Sequence, residues 1–427
     1  MKKQLPIHLK PLCVAFLFGI AFSLSYSNSA IAQWTAMDSG VTTKHLTGIW
    51  GSSGSDIFVS GTSNIVLHFD GEVWSTTILL GSVPISFNDV WGSSGNDVFV
   101  VGQLGTILHY DGTYWSEMSS GTTLDLDTVW GSSSKDVFAV GAGGTILHYD
   151  GNLQGIWSLM DSGTTSPIQG VWGTSGSNVF AAGNSGLILH YDGNAWAVMS
   201  TPPAYNSESI SGSSGSNIFA VGMGGSIIHY DGTSWTTMQS GTTEQLFDVW
   251  CRSDRECYAT GLNGVILRYD GSAWSPENSG TSNRLYGVWG TAEGEVFAVG
   301  YWGTILRRPP EIKVEIDINP LLPNIISLWP SLGCVSVAIL SDEDFNAPAM
   351  VKRDSLTFGR IGDEESFAFC GLLPVDVNRD GYKDLICYFN KKNAAFQCGD
   401  TEGILKGETK DGVLIEGRDS VRIIPCR

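Results

Sequence analysis

Leu126-Asp127-Thr128-Val129-Trp130-Gly131, then Asp136-Val137-Phe138-Ala139-Val140-Gly141, then Gly144-Thr145-Ile146-Leu147-His148-Tyr149-Asp150-Gly151, closed by Trp157: this stretch is one unit of a repeat. Short apolar runs rich in Val, Ile and Phe, separated by Gly, Ser and Asp clusters, read as strands, and the Asp-Gly pair reads as a tight hairpin turn. The first tryptophan of the unit recurs at Trp50, Trp91, Trp130, Trp172, Trp250 and Trp289, with Ser211 in its place once. Asp-Gly recurs at Asp70, Asp111, Asp150, Asp192, Asp231 and Asp270, each time ahead of a further tryptophan. The spacing is 39 to 42 residues. Four-stranded repeats of about 40 residues mark β-propellers, so seven units predict seven blades.

The ends of the repeat region fit together. After Gly303-Thr304-Ile305-Leu306 the pattern stops at Arg308-Pro309-Pro310, which leaves the seventh blade without its fourth strand. Trp34, Met37, Ser39 and Gly40 repeat the spacing of Trp115, Met118, Ser120 and Gly121. An N-terminal strand is therefore expected to complete the blade begun at Leu285, closing an all-β ring over residues 33–308. Closed rings leave only short protected edges, and a monomer is expected. Thirteen of the fifteen tryptophans fall on the two repeat positions, which assigns them to packing between blades.

Residues 1–32 read as an export signal: Lys2, Lys3 and Lys10, an apolar stretch from Leu12 to Leu24, and Ala30-Ile31-Ala32 before the cleavage point. The expected location is secreted, periplasmic or at the outer cell surface. No later stretch is apolar over the roughly 20 residues of a membrane helix, so no membrane insertion is expected. The formal net charge is −19, and between Gln33 and Trp250 the only lysines or arginines are Lys44 and Lys135. Such a surface is unsuited to nucleic acid or to an anionic membrane. In an oxidising compartment cysteines pair. Cys251 and Cys257 replace the Gly92 and Val98 positions of the repeat, on facing strands of one hairpin, and a disulfide is expected there. Cys370 with Cys387 is the favoured pair in the remainder.

Residues 309–427 leave the repeat and gain lysine and arginine, while strands such as Lys313 to Ile318 and Leu385 to Phe389 remain legible. They form a second, smaller β-sandwich-like domain with its own core. Within it, Asp376-Val377-Asn378-Arg379-Asp380-Gly381-Tyr382-Lys383-Asp384 places oxygen-bearing side chains at alternate positions around a turn glycine. That pattern suits a hard cation, with Asp376, Asn378, Asp380 and Asp384 giving side-chain oxygens and Tyr382 its carbonyl. A structural Ca2+ is expected. Without a metal the same residues would form an Asx-rich turn.

The repeat, in a copy such as Val90-Trp91-Gly92-Ser93-Ser94 with His109-Tyr110-Asp111-Gly112, resembles the secreted bacterial propellers of the WD-repeat-like, YVTN-like or BNR-like kind. The loop at Asp376 resembles the calcium loops of FG-GAP and dockerin-type repeats. The first resemblance implies a fold and no particular chemistry, because propellers bind, scaffold and catalyse alike.

Catalytic constellations are sparse. His68, His109, His148, His190 and His229 repeat on third strands, but Arg268 and Arg307 replace them in the last two blades, and arginine cannot ligate zinc. They read as structural hydrogen-bonding groups. A sialidase would need an arginine cluster where the first five blades have none. Asp89, Asp127, Glu208 and Asp248 on first strands leave carboxylate-pair chemistry arithmetically open. More informative are the departures from the repeat: Leu104, Met223, Leu262, Tyr301 and Trp302 in the turns after second strands, and Tyr205 in a long connection opening on the same face. Exposed apolar residues on one loop face point to a protein or glycan partner; packing of Tyr301 and Trp302 against the linker is the other reading. The expected function is a non-enzymatic binding or scaffold protein, with a secreted polysaccharide-active hydrolase or lyase as the alternative.

Overall fold

In the computed structural model the described residues are 34–425 apart from 41–42, 79–83, 153–154, 203–205, 321, 329–332 and 411. The export signal and Tyr205 fall outside them. The chain divides into two compact units between Arg308 and Pro309.

The first unit is a seven-bladed β-propeller. Six blades are four-stranded antiparallel sheets in simple sequential order, with first strands Leu46–Ser53, Phe87–Ser94, Leu126–Ser133, Ile168–Ser175, Ser207–Ser214 and Leu246–Ser253. The seventh begins at Leu285–Gly290 and ends on Ile305–Arg308, against which the short strand Thr35–Ala36 pairs. Each first strand contacts the first strands of the two flanking blades, and Leu46–Ser53 touches Leu285–Gly290, so the ring is closed. Trp34 fastens the closure: its indole N–H donates to Glu277 Oε2 of blade 6 at 2.7 Å, and Glu277 also faces the buried Arg308.

Two rules of the repeat follow from contacts between neighbours. The Trp-Gly step persists because the tryptophan of one blade lies across the glycine of the next. A Cβ on Gly51, Gly92, Gly131, Gly173, Gly212 or Gly290 would come within 2.6–3.0 Å of the preceding blade's indole. Blade 5 has Ser211 in place of the tryptophan, and blade 6 has Cys251 in place of the glycine that would receive it. Cys251 and Cys257 face each other in register and are disulfide-bonded, Cα–Cα 4.0 Å, so the disulfide stands at the position that would receive the missing indole. The histidines obey the second rule. His68, His109 and His148 bond Asp56, Asp97 and Asp136 through Nε2 at 2.7 Å, while His190 and His229 bond Asn178 and Asn217. Where arginine replaces histidine, glutamate replaces the shorter acid: Arg268 with Glu256, Arg307 with Glu295. Each of these side chains is bonded within its own blade, as a structural role requires.

The second unit is a sandwich of two four-stranded sheets. One runs Glu311–Lys313, Leu414–Ser420, Glu402–Thr409, Val351–Gly359; the other Ile316–Ile318, Cys334–Ile339, Leu385–Asn390, Phe367–Cys370. Val337, Ile339, Phe389, Phe358, Leu405 and Ile415 from both sheets share one buried core. Cys370 is bonded to Cys387 directly across neighbouring strands.

Candidate binding face

At one end of the ring the turn after each second strand is hydrogen-bonded to the segment leading into the same blade's first strand. Gln103 N–H donates to Ser86 O, Ala142 to Asp125 O, Met223 to Asn206 O, Leu262 to Gln245 O and Tyr301 to Arg284 O. This repeated tie puts those turns and the mouth of the central channel on a single face.

Each such turn needs a residue in the left-handed region. Blades 3 and 5 use Gly143 and Gly224, blade 4 Ser185 and blade 6 Asn263, whereas blade 2 uses Leu104 at φ 58° and blade 7 Trp302 at φ 57°. Large side chains are disfavoured there, at a cost of about 1–3 kcal/mol each. Both nevertheless project into solvent, Leu104 61% and Trp302 60% exposed. The backbone is held from the next blade: Leu104 N–H donates to Asp125 Oδ1 at 2.8 Å, and Trp302 N–H faces His45 Nδ1 at 3.4 Å. Met223 is exposed as well, and Leu262 is half-buried.

Around Trp302 the rings form a continuous shelf. His45 stacks on Tyr301 with centroids 3.8 Å apart, and Trp302 stands edge-on to both. The Arg284 guanidinium lies 5.9 Å from the Tyr301 ring and beside Tyr286, which packs against Phe247 at 4.9 Å. Phe247 and Tyr286 occupy the bulged second position of first strands, lining the channel mouth. Elsewhere around the ring that position holds Thr47, Asn88, Asp127, Gln169 and Glu208. The two oxygens of Glu208 accept from the amides of Gln169 (3.1 Å) and Gln245 (2.7 Å), with no lysine or arginine in the set.

The channel carboxylates differ in their work. Asp89 accepts from Val129 N–H and Asp248 from Val288 N–H and Ser209 Oγ, so each straps its blade to a neighbour. Burial pushes the Asp89 carboxyl up to about 8, against the pull of the Val129 and Val90 N–H groups, and Asp248 up to about 6. Burial also pushes Asp127 up to about 6, with repulsion from Asp125 and Glu208 adding to it. Glu208 is raised by burial, with Gln245 opposing.

In the second unit Asp376, Asn378 and Asp380 stand together on a turn. Asp376 accepts from Arg379 and Gly381 N–H, and Asp380 from Tyr382 N–H and the Asn378 amide. Asp384 turns the other way: it is fully buried and accepts from Ser341 and Val377 N–H, pinning the loop base to the sheet. Among the described residues no group of three or more His, Cys, Asp or Glu is gathered as a metal would need.

Sequence reasoning finds Tyr301, Trp302 and Leu104 as departures from the repeat but misses His45, Arg284, Phe247 and Tyr286. The available signal was aromatic replacement at a position otherwise polar, and an unusual residue just ahead of a first strand.

Solved structures share this fold. YCF48 bound to D1 peptide is similar over 67% of this chain and 96% of its own, with a TM-score of 0.56 at 16% identity. YCF48 from Cyanidioschyzon merolae is similar over 65% of this chain and 98% of its own, with a TM-score of 0.54 at 18% identity. At these identities the likeness is one of fold. No protein-family model matches the chain, and no curated protein matches it.

Proposed function

We propose that this protein is an exported, non-enzymatic binding module whose propeller loop face engages a protein segment. The observation that carries the reading is Trp302: a large aromatic side chain kept in an unfavourable backbone conformation and left exposed, on a shelf with Tyr301, His45, Arg284, Tyr286 and Phe247. Strain retained at an exposed aromatic is what a binding position looks like. A neighbour in fold, YCF48, has been solved with a peptide bound, which supports a protein partner over a glycan. The Cys251–Cys257 and Cys370–Cys387 disulfides support an oxidising, exported setting. A hydrolase would require carboxyls free to meet a substrate. Asp89 and Asp248 are tied to backbone N–H groups, which leaves Asp127 and Glu208 two blades apart on the ring, with no close carboxyl pair among the four.

Calcium at the second unit's loop is part of the same proposal, with Asp376, Asn378 and Asp380 as the side-chain donors best placed to share one ion, and Tyr382 O and Asp384 completing the set only if the loop base adjusts. The function is tested by screening the mature protein on peptide and glycan arrays. The expected result is peptide binding that falls when Tyr301 and Trp302 are replaced. Glycan-only binding, or release of sugar from polysaccharide, would overturn it.

A further inference from the structure

We infer that the segment recognised by this face is basic and aromatic or aliphatic at once: a large apolar side chain seats on Trp302 and Tyr301, and a nearby lysine or arginine reaches Glu208. The inference rests on the binding reading above and names the partner's chemistry.

Contacts run from Trp302 to Phe247, and the backbone carries the line on to Gln245 and Glu208. Trp302 and His45 flank Tyr301, Tyr301 lies beneath Arg284, Arg284 stands beside Tyr286, and Tyr286 packs on Phe247. Phe247 follows Leu246 and Gln245, and the Gln245 amide donates to Glu208. The line therefore starts aromatic at the seam of blades 7 and 1 and ends on a carboxylate in blade 5. That carboxylate is fixed in place by Gln169 and Gln245, yet the hydrogen bonds it receives come from neutral amides. Its charge helps raise the carboxyl of Asp127, two blades away on the same ring of mouth positions. A half-buried anion whose partners are all neutral gains from an arriving cation, and an oriented carboxylate loses little entropy in accepting one. The cation at the other end, Arg284, is exposed and lies over Tyr301, so the two ends of the line differ in charge and a ligand's basic residue belongs at the Glu208 end. Charge on the Glu208 side of the ring points the same way, since the first five blades carry only Lys44 and Lys135 against many carboxylates, while the arginines of the propeller lie in blades 6 and 7.

The test is an array of short random peptides probed with the full mature chain, followed by titration of the strongest binders in solution at low and high salt. Bound peptides should be enriched in Lys or Arg close to a large apolar residue, and affinity should fall as salt rises. Trp302→Asn, which places in blade 7 the residue type that blade 6 carries at Asn263, should weaken binding about tenfold while leaving the melting temperature unchanged or higher. Glu208→Gln should weaken basic peptides by about tenfold and leave uncharged ones untouched. If Glu208→Gln proves unfolded, Asp127→Asn supplies the same charge test. Enrichment of acidic peptides, or basic-peptide affinity indifferent to both substitutions, would overturn the inference while leaving peptide binding itself intact. Absence of any peptide binding would remove the binding reading with it.

Discussion

Leu104 and Trp302 stand where four sibling blades place Gly, Ser or Asn, and the backbone there is left-handed in every case. Leu104→Asn should therefore stabilise the propeller, by about 0.5–1 kcal/mol in denaturant unfolding, because Asn tolerates the left-handed region without adding the unfolded-state entropy of glycine. A loss of stability would show that the leucine side chain supports the fold. Asp89 is the second residue with a measurable signature. Its carboxyl is harder to ionise in the ring than in an unfolded chain, so the native state holds the proton more tightly. Stability should decline as pH rises from about 4 to about 8 and stay low above that, the reverse of an ordinary salt-bridged aspartate. Asp89→Asn keeps an oxygen for the Val129 N–H, and should flatten that decline and raise stability at pH 8. An unchanged pH profile in melting experiments would show that the carboxylate is ionised in the channel.

At the scale of the blade, the missing indole at Ser211 and the disulfide of Cys251 with Cys257 are two halves of one change. Ser211→Trp alone should crowd the disulfide and destabilise the ring by about 1–3 kcal/mol. In a background carrying Cys251→Gly and Cys257→Val, the pair found in blade 2, the same substitution should stabilise, giving a coupling above about 1 kcal/mol in a double-mutant cycle. Additive effects would separate the two features. This pairing explains why the repeat could be read so readily while its exceptions could not. Trp-Gly, Asp-Gly and the closing Trp recur in nearly every unit because each makes the same contact in each blade, so the period alone reveals seven sheets and the Trp34 closure. Ser211 and Cys251 sit 40 positions apart in the chain, and their relation is invisible until one knows that a blade's tryptophan lies on its neighbour's glycine. Likewise His68 with Asp56 and Arg268 with Glu256 look like unrelated substitutions until the strands are laid in register.

Across the whole molecule the legible and illegible parts divide by how many blades contribute. Leu104, Met223, Leu262, Tyr301 and Trp302 betray themselves singly, each as a local departure. The shelf draws on Glu208 and Gln245, Phe247, Arg284 with Tyr286 and Tyr301, and His45 from the far end of the ring, and only closure brings His45 against Tyr301. In the second unit the spacing of the Asp376 loop was readable, but the inward turn of Asp384 was not, since it depends on Ser341 from another strand. If that loop holds calcium, the ion should raise the melting temperature of the second unit and leave the propeller nearly unaffected, and Asp380→Ala should abolish the shift. Identical melting curves with calcium and with chelator would make the loop an Asx-rich turn. The central claim, that the loop face of the propeller receives a protein segment, is tested most directly by hydrogen exchange on the full mature chain with and without a bound peptide selected from the array. The account predicts added protection in the segments around 44–47, 244–247 and 284–286 and in the turn 301–303. Protection confined to the Asp-Gly turns at the opposite end of the ring, or to the outer strands of the blades, would contradict it.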